Sequence, residues 1–166
     1  MDTTWYAELN SPLGILTLES DGQALTRIRL PEEEWAPDPG TERVRKPELF
    51  KEAAIQLGSF FRGERAEFDL PLNPCGTPFQ IRVWNLLREI PRGTTITYGE
   101  LARRAGNPKA ARAVGAANGQ NPIPIIIPCH RVIGSNGKLT GYAGGLEAKK
   151  MLLDIEKTLR VTRCPA

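Results

Sequence analysis

The stretch that most limits this chain is Asn118–Gly134, NGQNPIPIIIPCHRVIG. Its apolar run Ile125–Ile127 stops at Pro128, so Cys129 emerges where buried chain meets a bend. A thiol becomes a useful nucleophile only as thiolate, which a neighbouring histidine, arginine or helix N-terminus favours. His130 and Arg131 supply that setting, and His130 is the single histidine of 166 residues. A buried structural cysteine is the competing reading, because free cysteine is among the most buried residue types. The residues alone leave both open.

A chain of 166 residues fits one compact unit or two small lobes with a real core. With 40% hydrophobic and 25% charged residues and no run of about 18 apolar residues, a membrane span is excluded. The start, MDTTWYAELN, has neither the basic flank nor the apolar core of a secretory signal. Three cysteines and no export signal argue against a disulfide framework and for a reducing compartment.

The net charge of +3 hides an asymmetry. Residues 1–75 carry 8 Lys and Arg against 14 Asp and Glu, a net of −6; residues 76–166 carry 14 against 5, a net of +9. An acidic lobe docked on a basic one would account for this, but nucleic acid is favoured, since the basic residues fall in a helical region and not in a tail.

The first lobe reads as a meander. Trp5–Leu9, Gly14–Glu19 and Leu25–Leu30 are β-rich and separated by the turn-prone Asn10–Pro12 and Ser20–Gly22. Residues 31–47, with four prolines and no apolar period, are expected to form a surface excursion. Leu49, Ala53, Ile55, Leu57, Phe60 and Phe61 predict an amphipathic helix ending at Gly63, followed by a short strand at 68–72. Nothing catalytic is apparent in this lobe, and a scaffold role is the expectation.

The second lobe is mainly helical. Thr77 and Pro78 open a helix carried by Phe79, Val83, Trp84, Leu87 and Ile90. Thr97–Glu100 is a T-x-x-E capping box before a short helix through Leu101, Ala102 and Ala105. After the Gly106–Asn107 turn, Pro108 starts PKAARAVGAANG, which gives helix-turn-helix spacing. That helix has almost no side-chain bulk apart from Lys109 and Arg112. Either it packs tightly on a neighbour or it lies against DNA with Arg112 reaching in. Leu146, Met151, Leu152 and Ile155 mark a C-terminal helix.

Two other chemistries fit poorly. Cys75, Cys129 and Cys164 are too scattered for a zinc site, with no C-x₂₋₄-C pair. A papain-like protease would need a histidine far from its cysteine, and the chain has no second one.

PCHRVIGSNGKLTGYAGG, preceded by NPKAARAVGAANGQNPIPIII, resembles the O6-alkylguanine-DNA alkyltransferases, the methylated-DNA–protein-cysteine methyltransferases. The match covers roughly residues 76–158; the first lobe fits only by its size and element order. The resemblance implies an α/β (α+β) chain: a small ribonuclease-H-like sheet-plus-helix domain at 1–75, then a mainly helical, winged-helix-like domain with a helix-turn-helix at 76–166. It implies irreversible, stoichiometric transfer of an alkyl group from O6-alkylguanine, with O4-alkylthymine as a second substrate, to Cys129. His130 would be the base, Glu156 its carboxylate partner, and Asn121 the tie between recognition helix and active-site turn. The damaged base would be flipped from double-stranded DNA bound through its minor groove. Arg112 would fill the gap in the stack, Tyr98 would crowd the 3′ phosphate, and Asn107 and Ser135 would contact the backbone, with Ala113 on the small face of the recognition helix. Tyr142, Ala143 and Gly144 would line the pocket.

The resemblance calls for no cofactor and no metal, and the structural zinc of some members is not expected, since the first lobe has no histidine and no cysteine cluster. Ala143 replaces a serine that some members use as an extra donor to O6. No Cys-rich regulatory domain precedes residue 1, so a fused regulator is not expected, and Cys129 stands where non-catalytic relatives carry Trp. A monomer in a bacterial cytoplasm is the expectation, with cooperative assembly on DNA left open. The alternatives are a damage sensor that binds without transfer and recruits other factors, and a thiol hydrolase with turnover. Cys75 and Cys164 read as bystanders.

Overall fold

Residues 2–45 build the sheet of the computed structural model, which describes residues 2–33, 36, 38–65 and 67–158. Strands β1 (Asp2–Ser11), β2 (Gly14–Ser20) and β3 (Leu25–Arg29) follow the expected meander, each antiparallel to the one before. A fourth strand, β4 (Thr41–Arg45), pairs parallel with β1, giving the order β3-β2-β1-β4. This corrects the reading of residues 31–47 as an excursion throughout. β4 is TERVR, with Val44 its only apolar residue, so the hydrophobic pattern carries no strand signal and main-chain pairing at the sheet edge makes the strand.

A 3₁₀ turn (Pro47–Phe50) leads into helix α1 (Lys51–Phe61). Its buried face is Ala53, Gln56, Leu57 and Phe60, whereas Ile55 is exposed. Buried Gln56 accepts a hydrogen bond from the Asp69 backbone N–H at 2.9 Å and donates to the Asp69 carbonyl at 3.0 Å. These bonds, and a single bridge between Leu25 and Leu72, hold the segment expected as a strand at 68–72. Pro71 lacks the N–H that a longer ladder would use.

Helix α2 (Pro78–Arg88) has a complete capping box: Thr77 Oγ1 accepts from the Gln80 N–H and Gln80 Oε1 accepts from the Thr77 N–H. In α3 (Tyr98–Arg104) Thr97 caps as expected, but the Glu100 carboxylate turns to Arg103 and Arg104. Helix α4 (Ala111–Gly119) begins three residues later than PKAARAVGAANG suggests. Asn107 Oδ1 takes the Lys109 N–H at 3.0 Å, which makes a turn of the residues around Pro108. Short strands β5 (Ile96–Thr97) and β6 (Val132–Ile133) pair in parallel, and α5 (Leu146–Thr158) follows.

One hydrophobic cluster runs through both halves, from Leu16, Leu18 and Phe60 to Trp84, Val114 and Leu152. The Trp84 indole N–H donates to the Ala117 carbonyl at 2.8 Å and fixes α4 on α2. Across the halves, the Ile28 N–H of β3 donates to the Pro122 carbonyl at 2.9 Å. That bond seats the outer strand of the sheet beside the segment leading to Cys129. No helix among the described residues is long and apolar enough to cross a membrane.

Candidate acceptor site

Residues 122–132 are buried yet form neither long helix nor sheet, so their backbone polar groups need partners of another kind. Pro122, Pro124 and Pro128 remove three of the donors. Asn121 serves two more groups: its Nδ2 donates to the Ile127 carbonyl at 2.7 Å, and its Oδ1 accepts from the Ile123 N–H at 3.0 Å. Main-chain bonds Ile127 to Ile123, Cys129 to Ile127 and Arg131 to Pro128 close successive turns. Ile125 is held at φ +75°, a conformation strained for a β-branched side chain and kept here by full burial. The result is a 3₁₀ turn, Cys129–Arg131, whose three side chains all point inward.

Behind that turn lies a buried ionic cluster. Glu156 of α5 accepts from Arg131 Nε and Nη2, the latter at 2.8 Å, while Arg131 Nη1 donates to the Ile90 carbonyl at 2.6 Å. His130, fully buried, lies with Nε2 2.6 Å from Glu156 Oε1. Burial pushes the Glu156 carboxyl up, but hydrogen bonds from His130 and Arg131 outweigh it and bring the carboxyl down to about 2. Glu156 is therefore an anion and an acceptor, which assigns the imidazole proton to Nε2. His130 Nδ1 is left as a bare, buried acceptor with no partner among the described residues. Burial also holds the imidazole pKa below its ordinary value, so the ring is neutral near pH 7.

Cys129 is 5% exposed and unpaired. Burial pushes its thiol up to about 11, while the Asn121 side chain and the Lys149 charge pull the other way. The resting side chain is thus a neutral thiol. Lys149 is fully buried on α5 and donates to the Val132 carbonyl at 2.6 Å and the Thr140 carbonyl at 2.7 Å, which ties the loop after β6 to the helix.

The thiol faces a cavity of about 310 Å3, at the low end of the range of small-molecule sites. The second half lines it with Cys129, Asn118, Asn121, Tyr142 and Ala143. The Tyr142 hydroxyl is buried without a partner among the described residues, and burial holds its pKa well above the ordinary value, so it is a proton donor. Gly144 lies off the cavity wall; a Cβ there would press on Leu30 at 3.0 Å and Tyr142 at 3.2 Å. The first half, expected to be scaffold alone, supplies Arg27, Arg29 and Glu33. Buried Glu19 of β2 holds Arg29 at 2.8 Å and Arg43 at 3.3 Å, which sets Arg29 at the cavity.

The remaining candidates lie around this centre. Arg112 and Ala113 are on the exposed face of α4, with Val114, Ala117 and Asn118 on its buried face. The small-residue helix thus packs tightly on one side and presents a smooth surface on the other. Tyr98 lies beside α4, its ring 3.6 Å from where a Gly115 Cβ would stand, and its hydroxyl donates to the Thr140 carbonyl at 3.3 Å. Asn107, just before α4, and Ser135, in the turn after β6, are both exposed. Cys75 is exposed, and Cys164 lies outside the described residues. Among the described residues no three His, Cys, Asp or Glu side chains are grouped to hold a metal ion.

Sequence reasoning missed Asn118, Lys149 and the three charged residues of the first half. Lys149 did leave a signal. With Leu152, Leu153 and Glu156 it completes the i, i+3, i+4, i+7 stripe of α5, which is the buried face, whereas Leu146 and Met151 are exposed.

Comparison with known proteins bears on both halves. Residues 4–74 match the family profile described as 6-O-methylguanine DNA methyltransferase, ribonuclease-like domain, and residues 78–158 match that of its DNA binding domain. A Mycobacterium bovis protein named methylated-DNA–protein-cysteine methyltransferase is 49% identical, covering 97% of this chain and 94% of its own. One of the same name from Methanosarcina acetivorans is 51% identical, covering 92% of this chain and 97% of its own. The crystal structure of Mycobacterium tuberculosis O6-methylguanine methyltransferase superposes with a TM-score of 0.88 at 48% identity, covering 96% of each chain. The M. tuberculosis OGT solved in complex with DNA gives 0.83 at 46% identity, covering 95% of this chain and 94% of that one.

The ionic cluster generates a pH dependence. The Glu156 carboxyl sits at about 2 when folded against an ordinary 4.5, so its contribution is complete above pH 4.5 and is lost as pH falls through about 2. Urea midpoints measured across that window should fall more steeply in the natural protein than in Glu156→Gln. That variant should also be about 3 kcal/mol less stable at neutral pH, because Arg131 keeps a buried charge without its counter-ion. Equal slopes would contradict the assignment of the charge to Glu156.

Proposed function

The chain belongs to the 6-O-methylguanine DNA methyltransferase family, and from that premise we propose that Cys129 is the atom-accepting end of a one-way DNA repair reaction. The protein repairs DNA by transferring an alkyl group from a damaged base to itself. The observation that carries the assignment is the neutral Cys129 thiol facing a base-sized cavity, next to a histidine whose Nδ1 is bare.

The damaged base reaches that cavity only by leaving the stack, since O6 within a duplex is closed to in-line attack. Arg112, projecting from α4, fills the space the base vacates. The small exposed face around Ala113 allows the helix to approach the minor groove closely, and Asn107, Ser135 and Tyr98 hold the phosphate backbone on either side. The +9 net charge of residues 76–166 supports this half as the DNA-facing one.

In the cavity, the Cys129 proton passes to His130 Nδ1, directly or through one water, and Glu156 stabilises the imidazolium that forms. The sulfur attacks the alkyl carbon; the S–C bond forms as the C–O6 bond breaks, and the electron pair stays with guanine. The Tyr142 hydroxyl donates a hydrogen bond to the leaving base, a role supported by its burial beside the cavity without another partner among the described residues. A thioether offers no easy leaving group, so each molecule acts once. The substrate brings the alkyl group and the protein brings the acceptor, so no cofactor takes part. O4-alkylthymine presents the same alkoxy carbon and is a second substrate. The protein works as a monomer in the cytoplasm with the chromosome.

Incubation with duplex carrying O6-methylguanine should raise the intact mass by one methylene unit at one equivalent, with no gain in Cys129→Ala. An unchanged mass despite tight binding would instead mark a damage sensor. Arg112→Ala should slow transfer from duplex by an order of magnitude, about the scale of one lost stacking contact, and have little effect on the free base. Equal loss on both would contradict the gap-filling role.

A further inference from the structure

Among the described residues, three buried side-chain atoms near the cavity lack partners: His130 Nδ1, the Tyr142 hydroxyl and Asn118 Oδ1. The first two have roles in proton movement. Asn118, in the last turn of α4, has none in the reaction as derived, yet it lines the same cavity and is 4% exposed.

Its orientation is fixed by its neighbour. Asn118 Nδ2 donates to the Cys129 carbonyl at 3.3 Å. Only the nitrogen end of a primary amide can face a carbonyl, so the oxygen must point the other way. Oδ1 is thereby an enclosed acceptor, and native structures leave few such atoms unsatisfied. Because Asn118 lines the cavity, a molecule that fills it and carries an N–H donor would supply the missing partner.

The chemistry of the damaged base narrows the choice. Alkylation on O6 locks guanine in the form that has no proton on N1, so N1, N3 and N7 are all acceptors. The 2-amino group is then the one N–H donor left on the base edge. We propose that Asn118 is a specificity-determining residue whose Oδ1 accepts a hydrogen bond from the 2-amino group of the flipped base while its Nδ2 holds the Cys129 turn. It reads the base and steadies the nucleophile with one amide. This rests on Cys129 being the alkyl acceptor.

The test compares two duplexes, one with O6-methylguanine and one with O6-methylhypoxanthine, which differs by the 2-amino group alone. Single-turnover transfer is followed by intact mass for the natural protein, Asn118→Leu and Asn118→Ala. Both variants lose the bond to the Cys129 carbonyl on either substrate, so the reading of the base shows in the difference: the rate loss on O6-methylguanine should be about tenfold larger than the loss on O6-methylhypoxanthine, since a site built to hydrogen-bond a group loses most when that pairing is broken. Loss by the same factor on both substrates, or on neither, would overturn the role of Asn118. The natural protein decides part of the question without any variant: it should act faster on O6-methylguanine, and equal rates would also overturn the inference. No transfer from either duplex would overturn the acceptor assignment itself, a different failure from either of these.

Discussion

A buried carboxylate holds this molecule's chemistry together. Glu156 is 2% exposed, and an isolated anion at that depth would be prohibitively costly. Arg131 neutralises it with a forked pair of hydrogen bonds, and its third arm reaches Ile90, two residues past the end of α2. One interaction thus joins α5, α2 and the turn that carries the thiol. The same carboxylate orders the neighbouring imidazole, so the proton inventory of the site follows from it. With Glu156 ionised, His130 carries its proton on Nε2 and keeps Nδ1 as an acceptor; with Glu156 protonated, both the clamp and the tautomer would go.

A second constraint acts on the segment before the turn. Buried irregular chain is tolerated only when its amides are satisfied, and Asn121, Asn118 and the three prolines share that work between them. The arrangement leaves the sulfur on the cavity side and the backbone locked behind it. The first half takes part too: β3 docks on Pro122, and Arg29, set by Glu19, enters the cavity wall. The acidic half of the chain is therefore not only a counterweight to the basic one.

Much of this was legible in the residues. The proline bend before Cys129 and the Thr77–Pro78 helix start are local signals with local causes, and they survive in the structure. Residues 41–45 were unreadable as a strand because TERVR has nothing periodic to bury, and its partner β1 lies some forty residues away in the chain. The buried face of α5 was misread for a different reason. Amphipathic patterning assigns charged residues to water, and here Lys149 and Glu156 take buried positions while Leu146 and Met151 are exposed. Local rules fail where a site needs charges inside. The family resemblance, and not spacing, singled out Glu156; Asn118 carried no signal at all, since its meaning lies in a carbonyl eleven residues on and in an oxygen left without a partner.

The central claim is that a neutral imidazole, with its proton on Nε2 and its Nδ1 bare, stands ready to take the proton of a buried thiol. Because the chain has one histidine, selective 15N labelling of histidine gives a single pair of ring-nitrogen resonances that need no assignment by mutation. Near neutral pH the spectrum is expected to show a protonated Nε2 and an unprotonated Nδ1, with the ring charging only below its ordinary pKa. A proton on Nδ1, or an imidazolium at neutral pH, would contradict proton transfer from Cys129 to a His130 held by Glu156.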